Sequence, residues 1–261
     1  MKCILIMTTP PGTDRRVTEM VLNTIRVGFP TAEIDEVYPK PGPMFGDEHH
    51  HFSIIKDKLS ENCLREDPLI FIDGDVIFWE NMEPCVRWFA ENYTHAQEQI
   101  AGFFVPSYIS PQTQSLYMSR LHTSLLIVRN PRQLTTMIAG LHIGPSAMRS
   151  PLSVPYYQCD LIKPQYVYVL GRPLYFDTCA GLYHAFGGIA FGSDALKCYD
   201  HVNSASFYDD VVRSMPPEQK PMFRELHRLA AEEPEKLRGV WRSIRGFYEE
   251  RACTLHKYLT S

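Results

Sequence analysis

The sequence predicts an α/β fold in which a doubly wound mixed sheet is flanked by helices and followed by a C-terminal helical extension. Three short apolar runs, at residues 3–7, 34–37 and 69–72, are typical of buried strands. Between them, residues 17–28 and 52–64 carry apolar side chains at helical spacing. This alternation of strand, helix, strand, helix and strand is how a doubly wound sheet begins.

The remaining sequence predicts one α/β domain over residues 1–210 and a helical extension over residues 211–261 that packs on it. Asn130-Pro131 predicts the start of a helix, and Asp177 predicts the N-cap of a later, shorter one. Four further strands are predicted at residues 101–105, 124–128, 166–170 and 195–199.

Composition is that of an ordinary globular protein and excludes a general attraction to nucleic acid. The 261 residues carry a net charge of −4, so there is no overall basic field. The seven cysteines are scattered without a C-x-x-C pair, which predicts reduced thiols. The apolar run at residues 3–7 is shorter than a signal-peptide core of about 7–15 residues or a membrane span of about 20. We therefore expect a cytoplasmic protein with no membrane partner.

The Asp73-Gly74-Asp75 turn after the third predicted strand is the strongest functional signal. Two carboxylates at the carboxyl end of a buried strand lie where open α/β sheets bind ligands. Gly74 is expected to let the backbone turn tightly, so that both carboxylates face one cation. Oxygen ligands favour Mg²⁺ or Mn²⁺, which keep positions open for substrate phosphates. The alternative is a plain solvated turn, which the apolar strand before it disfavours.

With this motif, the sequence resembles the GT-A glycosyltransferases, whose Asp-x-Asp motif follows a strand of a nucleotide-binding α/β half. The element order over residues 1–210 is most similar to that of glycosyltransferase family 8. The resemblance implies a GT-A-type fold and transfer of a sugar from a UDP-sugar to a hydroxyl acceptor, with Mn²⁺ or Mg²⁺ as cofactor. Two departures stand out: the family's Lys-Pro-Trp after a C-terminal histidine is absent, and Thr178 rather than Gln follows Asp177.

The resemblance also implies roles for individual residues. Asp177 stands where the family has an acidic helix start near the sugar and acceptor, and it would be the general base only if the enzyme inverts; the family resemblance implies retention. His201 stands where the family has its metal-binding histidine, beside Asp73 and Asp75 as metal ligands. The implied donor-binding residues are Thr8, Thr9, Pro10, Asp73, Gly74, Asp75 and Ser124.

Two histidines compete for the third metal position. His201 follows a predicted strand among small polar residues, which suits a neutral imidazole ligand. His184 lies among apolar residues, as is typical of a buried histidine with satisfied hydrogen bonds. The consecutive His49, His50 and His51 cannot easily converge on one ion, which favours a polar loop over a zinc site. A contact from that loop to the donor base or sugar is the alternative.

A basic stretch at residues 236–245 bears on the acceptor. It carries Lys236, Arg238, Arg242 and Arg245 and no acidic residue. A helix docked by its apolar side, with a solvated basic face, is the simpler interpretation. The functional one is a contact to nucleic-acid phosphates. The acceptor is therefore expected to be a small metabolite, a glycan or, through this stretch, a hydroxylated or hydroxymethylated base in phage DNA.

Three other functions share some of these features. A haloacid-dehalogenase-type phosphatase also places Asp-x-Asp after an apolar strand, with Asp209-Asp210 as a downstream acidic pair. Against it, Ile77 stands where that family has Thr or Val, and the motif does not open the fold. A nucleotidyltransferase would use the same metal chemistry. A non-catalytic binding module would leave the paired carboxylates without metal affinity.

Overall fold

The structure, a computed structural model, describes residues 1–7, 16–38, 51–93, 98–110, 115–143, 160–169, 172–202, 217 and 220–239. The described strands are β1 (Lys2–Ile6), β2 (Glu33–Val37), β3 (Leu69–Asp73), β4 (Val76–Phe78), β5 (Ile100–Val105), β6 (Tyr108–Ile109), β7 (Leu116–Tyr117), β8 (Arg120–Val128), β9 (Gln165–Val169), β10 (Arg172–Phe176), β11 (Ile189–Ala190) and β12 (Tyr199–His201). The described α-helices are α1 (Arg16–Gly28), α2 (His51–Glu61), α3 (Glu83–Asn92), α4 (Pro131–Ile143), α5 (Ala180–Phe186) and α6 (Lys220–Glu232). Short 3₁₀ helices cover Ala195–Lys197 and Pro234–Leu237.

The predicted α/β fold is confirmed as a six-stranded mixed sheet with helices on both faces. Its strand order is β11-β5-β8-β3-β1-β2. Strand β1 runs parallel to β2 and β3, whereas β8 is antiparallel to both β3 and β5. Ile6 at the end of β1 pairs with Asp73 at the end of β3. The carboxyl ends of two parallel strands therefore meet where the Asp-x-Asp motif begins.

Strand β1 shows why the apolar runs form the centre of the fold. Cys3 and Leu5 face a core that α1 and α3 close, whereas Ile4 and Ile6 face a second core closed by α2, α4 and α5. All four side chains are fully buried. A strand covered on both faces must be apolar at every position, which is the pattern that the continuous run displays.

Two smaller sheets complete the described part of the chain. One has the order β6-β7-β10-β9, and the other pairs β4 with β12. The 3₁₀ helix Pro234–Leu237 and helix α6 pack on the two-stranded sheet, through a cluster of Ile77, Val202, Ala230 and Leu237. The C-terminal helical segment thus contacts the strand that follows the motif. The predicted division at residue 210 lies outside the described residues and stays a prediction.

Two local predictions are wrong. The strand predicted at 195–199 is a 3₁₀ helix, Ala195–Lys197, and a strand begins only at Tyr199. Backbone hydrogen bonds within residues 194–198 close that helix, so its amides cannot join a sheet ladder. Asp177 is not the N-cap of α5, because that helix starts after Cys179, which adopts a left-handed φ of 62°.

The prediction at Asn130-Pro131 is confirmed. Helix α4 begins at Pro131, and the Asn130 side chain accepts the Gln133 N–H at 2.9 Å, as an N-cap does. Within the described ranges, no helix combines the length and apolarity needed to cross a membrane.

Candidate metal and donor site

Asp73 and Asp75 lie on a turn at the centre of the fold. Asp73 ends β3, and Asp75 immediately precedes β4, which begins at Val76. Both carboxylates are buried. Burying two negative charges close together is costly unless a positive charge accompanies them. A cation bound at this turn would therefore stabilise the fold.

His201 reaches this turn through strand pairing. Strand β12 is antiparallel to β4, with His201 opposite Val76, and the Val202 N–H donates to the Asp75 carbonyl at 2.9 Å. The His201 Nε2 lies 3.0 Å from Asp75 Oδ1 and 3.9 Å from Asp73 Oδ2. Burial alone would lower the pKa of His201, but the carboxylates of Asp75 and Asp73 outweigh burial and raise it.

Asp73, Asp75 and His201 form a group that fits a divalent cation. One ligand atom from each lies within 4.8 Å of the others, and all three residues are buried. Two carboxylates and one imidazole suit Mn²⁺, and the oxygen ligands also suit Mg²⁺. The structure thus brings together the three residues predicted as ligands, whose metal-binding role stays a prediction.

An ion pair between Arg120 and Asp177 borders this group. Arg120 Nη2 lies 2.7 Å from Asp177 Oδ2, and the Thr178 N–H donates to Asp177 Oδ1 at 2.8 Å. The Arg120 charge is close enough to His201 to oppose the rise of that histidine's pKa. Since both carboxylate oxygens of Asp177 are engaged, the geometry favours a positioning role for this residue over that of a general base.

Strand β8 contains a bulge next to the site. Opposite Gly102 and Phe104 of β5, the register on β8 moves from residue 126 to residue 121. A step of two residues along β5 is therefore matched by a longer stretch of β8, which forms a bulge. Bulges of this kind change the direction of side chains and are frequent next to active sites. His122 and Ser124 lie within the bulge.

His122 and Ser124 add polar groups to the site. The Ser124 N–H donates to His122 Nδ1 at 3.1 Å, so a neutral His122 carries its proton on Nε2. The His122 ring centroid lies 5.3 Å from that of His201. Ser124 Oγ is buried and has no hydrogen-bond partner among the described residues. Of these, Ser124 was predicted as a donor-binding residue, whereas Arg120 was missed.

Close packing gives Gly74 a further steric reason beside the tight turn that was predicted. The described glycines with positive φ are Gly187 and Gly239, so Gly74 does not need the left-handed region. Instead, a Cβ on Gly74 would lie 3.0 Å from the Ile6 carbonyl oxygen and 3.4 Å from Met7 Cα. The glycine lets the motif approach the end of β1 closely.

We expect Gly74→Ala to weaken Mn²⁺ binding about tenfold, because the added methyl group moves the turn away from β1. Overpacking of this kind costs about 1–3 kcal/mol. Isothermal titration with MnCl₂ measures the effect. Gly192→Ala is the matched control, since a Cβ there meets nothing within 4 Å. Equal affinities in the two variants would show that the close approach is unimportant.

Asp200 ties the C-terminal segment to the site. Its Oδ2 accepts the Trp79 indole N–H at 2.7 Å and the Gly239 backbone N–H at 2.6 Å. Gly239 has a φ of 90°, a conformation that glycine favours. Because Asp200 directly precedes His201, these bonds anchor β12 at the position where it presents the histidine.

His184 is the satisfied histidine that the sequence predicts. Its Nε2 donates to the Ser119 carbonyl at 2.9 Å, and its ring packs edge-on against Phe176 and Tyr183. Burial lowers the pKa of His184, although the hydrogen bond to Ser119 opposes this. The described metal group contains His201 and not His184.

The depressed pKa of His184 predicts a loss of stability in acid. In the unfolded chain this histidine takes a proton near its ordinary pKa of about 6.5, whereas the folded protein resists protonation, so stability falls as the pH drops below about 6.5. His184→Gln should make the fall between pH 7 and pH 5.5 shallower. Urea unfolding of the wild type and the variant between pH 7 and pH 5.5 measures the fall in stability. The same fall in both proteins would show that His184 is not its cause.

The structure describes two cations of the basic stretch, Lys236 and Arg238. Of the basic stretch, Lys236 pairs with Glu233, while Arg238 lies 3.1 Å from Glu80 and over the Trp79 ring at 5.8 Å. Those two cations are engaged with acidic partners.

Several other predictions concern residues whose side chains the structure does not describe. These residues are Thr8, Thr9, Pro10, His49, His50, His51, Asp209, Asp210, Arg242 and Arg245.

Comparison with known proteins finds distant likenesses in structure. No protein-family model and no curated protein matches the chain. A glycosyltransferase involved in the glycosylation of the major capsid of PBCV-1 is 13% identical, with 85% of this chain and 99% of that chain covered and a TM-score of 0.34.

Two further solved structures are similar at the same level. The bifunctional glycosyltransferase WbbM is 8% identical, with 87% of this chain and 44% of that chain covered and a TM-score of 0.37. The galactosyltransferase LgtC, solved with donor and acceptor sugar analogues, is 10% identical, with 92% and 99% covered and a TM-score of 0.36. All three structures are glycosyltransferases.

Proposed function

We propose that the protein is a metal-dependent glycosyltransferase that moves a sugar from a nucleotide sugar, a UDP-sugar, to a hydroxyl group. The observation that carries the proposal is the convergence of Asp73, Asp75 and His201 at the carboxyl end of β3. The end of β1 is the neighbouring position in the sheet. Open α/β sheets bind nucleotides at such strand ends.

The residues present support a diphosphate site. Asp73, Asp75 and His201 would hold Mn²⁺ or Mg²⁺, and the bound ion supplies charge neutralisation for a diphosphate leaving group. Arg120 adds a nearby positive charge. The buried Ser124 hydroxyl offers a donor and an acceptor for a sugar hydroxyl or a phosphate oxygen.

The transfer exchanges one bond at the anomeric carbon of the sugar. The bond from that carbon to the diphosphate oxygen breaks, and its electron pair stays with the diphosphate. The acceptor oxygen forms the new bond, and its proton passes to solvent overall. Asp177, held by Arg120 and the Thr178 N–H, orients the sugar or the acceptor during this exchange.

A nucleotidyltransferase would use the same three ligands, so the first experiment must separate the two. We expect UDP and UDP-sugars to raise the melting temperature in the presence of Mn²⁺ and not in EDTA. Consumption of UTP with release of pyrophosphate would indicate a nucleotidyltransferase instead. The absence of any Mn²⁺-dependent shift with nucleoside diphosphates would contradict the proposed function.

A DNA acceptor receives little support from the described part of the basic stretch. Lys236 and Arg238 are already paired with Glu233 and Glu80, so a DNA phosphate would have to displace those carboxylates. Transfer of labelled sugar to hydroxymethylated DNA, compared with transfer to free carbohydrates, tests this acceptor. Label in DNA alone would establish it, and label in carbohydrate alone would exclude it.

A further inference from the structure

Four tyrosines form a continuous row across the four-stranded sheet. Strand pairing places Tyr108 opposite Tyr117, Tyr117 opposite Tyr175, and Tyr175 opposite Tyr166. Their ring centroids are 5.1, 4.6 and 4.9 Å apart in that order. Each of the four strands therefore contributes one aromatic ring at the same position of the register.

Toward its Tyr166 end the row lies on the face of this sheet that points away from the core closed by α2, α4 and α5, whereas Tyr108 at the other end packs against the core closed by α1 and α3. Leu174 and Phe176, on either side of Tyr175, are buried in the core that α2, α4 and α5 close. Since side chains alternate along a strand, Tyr175 points to the opposite face. Tyr166 is 48% exposed, and Tyr168, two residues further along β9, is 71% exposed. Tyr108, Tyr117 and Tyr175 are half-buried. The exposed rings of Tyr166 and Tyr168 on β9 together mark an interaction surface.

One ring of the row, that of Tyr175, lies close to the ion pair that borders the candidate site. Asp177 follows Tyr175 by two residues at the end of β10, and it pairs with Arg120. Burial raises the pKa of Tyr175, and the charge of Asp177 raises it further, which places the carboxylate close to this ring. Arg120 in turn acts on His201. A ligand lying on the tyrosines would therefore extend toward the group predicted to bind the donor.

The chemistry of the row favours a neutral carbohydrate. Apart from Arg172, the four strands contain no charged residue. A nucleic acid would need cations for its phosphates. The negative faces of aromatic rings attract the weakly positive C–H groups of a sugar ring, and tyrosine hydroxyls at the ring edges can hydrogen-bond its hydroxyls.

We propose that the row of Tyr108, Tyr117, Tyr175 and Tyr166 is the acceptor subsite and binds a neutral oligosaccharide by stacking. This inference rests on the proposed function and names its acceptor class. The stacked sugar presents a hydroxyl toward Asp177 and Arg120, where the sugar transfer takes place. The competing explanation is that the rings merely stabilise the sheet as cross-strand pairs.

The test measures carbohydrate binding by the full chain on an array of neutral, sialylated and sulfated oligosaccharides, together with a fluorescein-labelled single-stranded oligonucleotide. We expect the wild type to bind neutral oligosaccharides and Tyr166→Ala to bind them at least about fivefold more weakly, as the loss of one stacking ring would produce. Tyr166→Phe keeps the ring and should retain most of the affinity. Trp88→Ala, which removes another exposed aromatic residue on α3, should bind like the wild type.

Three outcomes overturn the inference: no neutral oligosaccharide binds, Tyr166→Ala binds as well as the wild type, or the oligonucleotide or anionic glycans bind in its place. A Tyr166→Ala variant with a lower melting temperature but unchanged sugar affinity would assign the row to sheet stability alone. The Mn²⁺-dependent shift with UDP, measured on the same variants, separates this result from a failure of the proposed function. A normal UDP shift without sugar binding overturns the acceptor subsite only.

Discussion

Asp75→Asn is expected to abolish Mn²⁺-dependent UDP binding and to lower the rate of sugar transfer by about a thousandfold or more. Asp75 Oδ1 lies 3.0 Å from His201 Nε2, and Asp73, Asp75 and His201 are buried within 4.8 Å of one another. A bound cation contributes several kcal/mol to the stabilisation of a charged leaving group, and about 1.4 kcal/mol corresponds to a tenfold change in rate. Asparagine keeps the shape of the side chain and removes its charge. Paramagnetic resonance of free Mn²⁺ measures the metal affinity directly.

Asp194→Asn is the matched control for this substitution. Asp194 is exposed, precedes the 3₁₀ helix Ala195–Lys197 as its N-cap and pairs with Lys197 at 3.0 Å. An exposed pair of this kind contributes little to stability, so the variant should bind Mn²⁺ and UDP like the wild type. Undiminished Mn²⁺ affinity in Asp75→Asn would remove the carboxylate from the metal site and with it the basis of the proposed function.

Asp200→Ala is expected to lower the free energy of unfolding by about 3 kcal/mol, since hydrogen bonds to a charged group contribute about 1.5–3 kcal/mol each. The substitution leaves the Trp79 indole N–H and the Gly239 N–H without their buried acceptor. In a protein of this size the melting temperature should fall by roughly 6–12 °C. Calorimetry without metal measures the stability, and Mn²⁺ titration then shows whether His201 has moved.

Trp79→Phe separates the two hydrogen bonds of Asp200. This variant removes the indole donor and leaves the bond from Gly239 to the carboxylate. Its loss of stability should be about half that of Asp200→Ala, with metal affinity nearly unchanged. If Asp200→Ala melts like the wild type and binds Mn²⁺ equally well, the C-terminal segment has no part in positioning His201.

The central sheet and the motif could be predicted because their signals are local. The run from Leu69 to Ile72 is apolar at every position because both faces of β3 are covered. The polar Asp73 ends the run at the carboxyl end of the strand. Asn130-Pro131 likewise predicts a helix start from its own chemistry, since the Asn130 side chain caps a nearby amide. Predictions of this kind need only neighbouring residues.

Strand boundaries were harder to predict where the backbone is irregular. Strand β8 begins at Arg120, four residues before the predicted start at residue 124, because the bulge between residues 121 and 126 interrupts the alternation of side chains. Arg120 was missed as a site residue for this reason. A basic residue in an apparent loop carries no signal of its own.

The sequence by itself determined the α/β class, the buried strand before Asp73 and the pair of carboxylates at its end, because apolar periodicity and turn chemistry act over a few residues. Tertiary structure alone decided which distant groups join them. The pairing of β12 with β4 brings His201 to Asp75, the pairing of four short strands aligns the tyrosine row, and the Arg120–Asp177 ion pair connects the two regions. Such pairings join segments that are far apart in the chain through backbone hydrogen bonds, which any residue except proline can donate, so no short window of sequence specifies the partner.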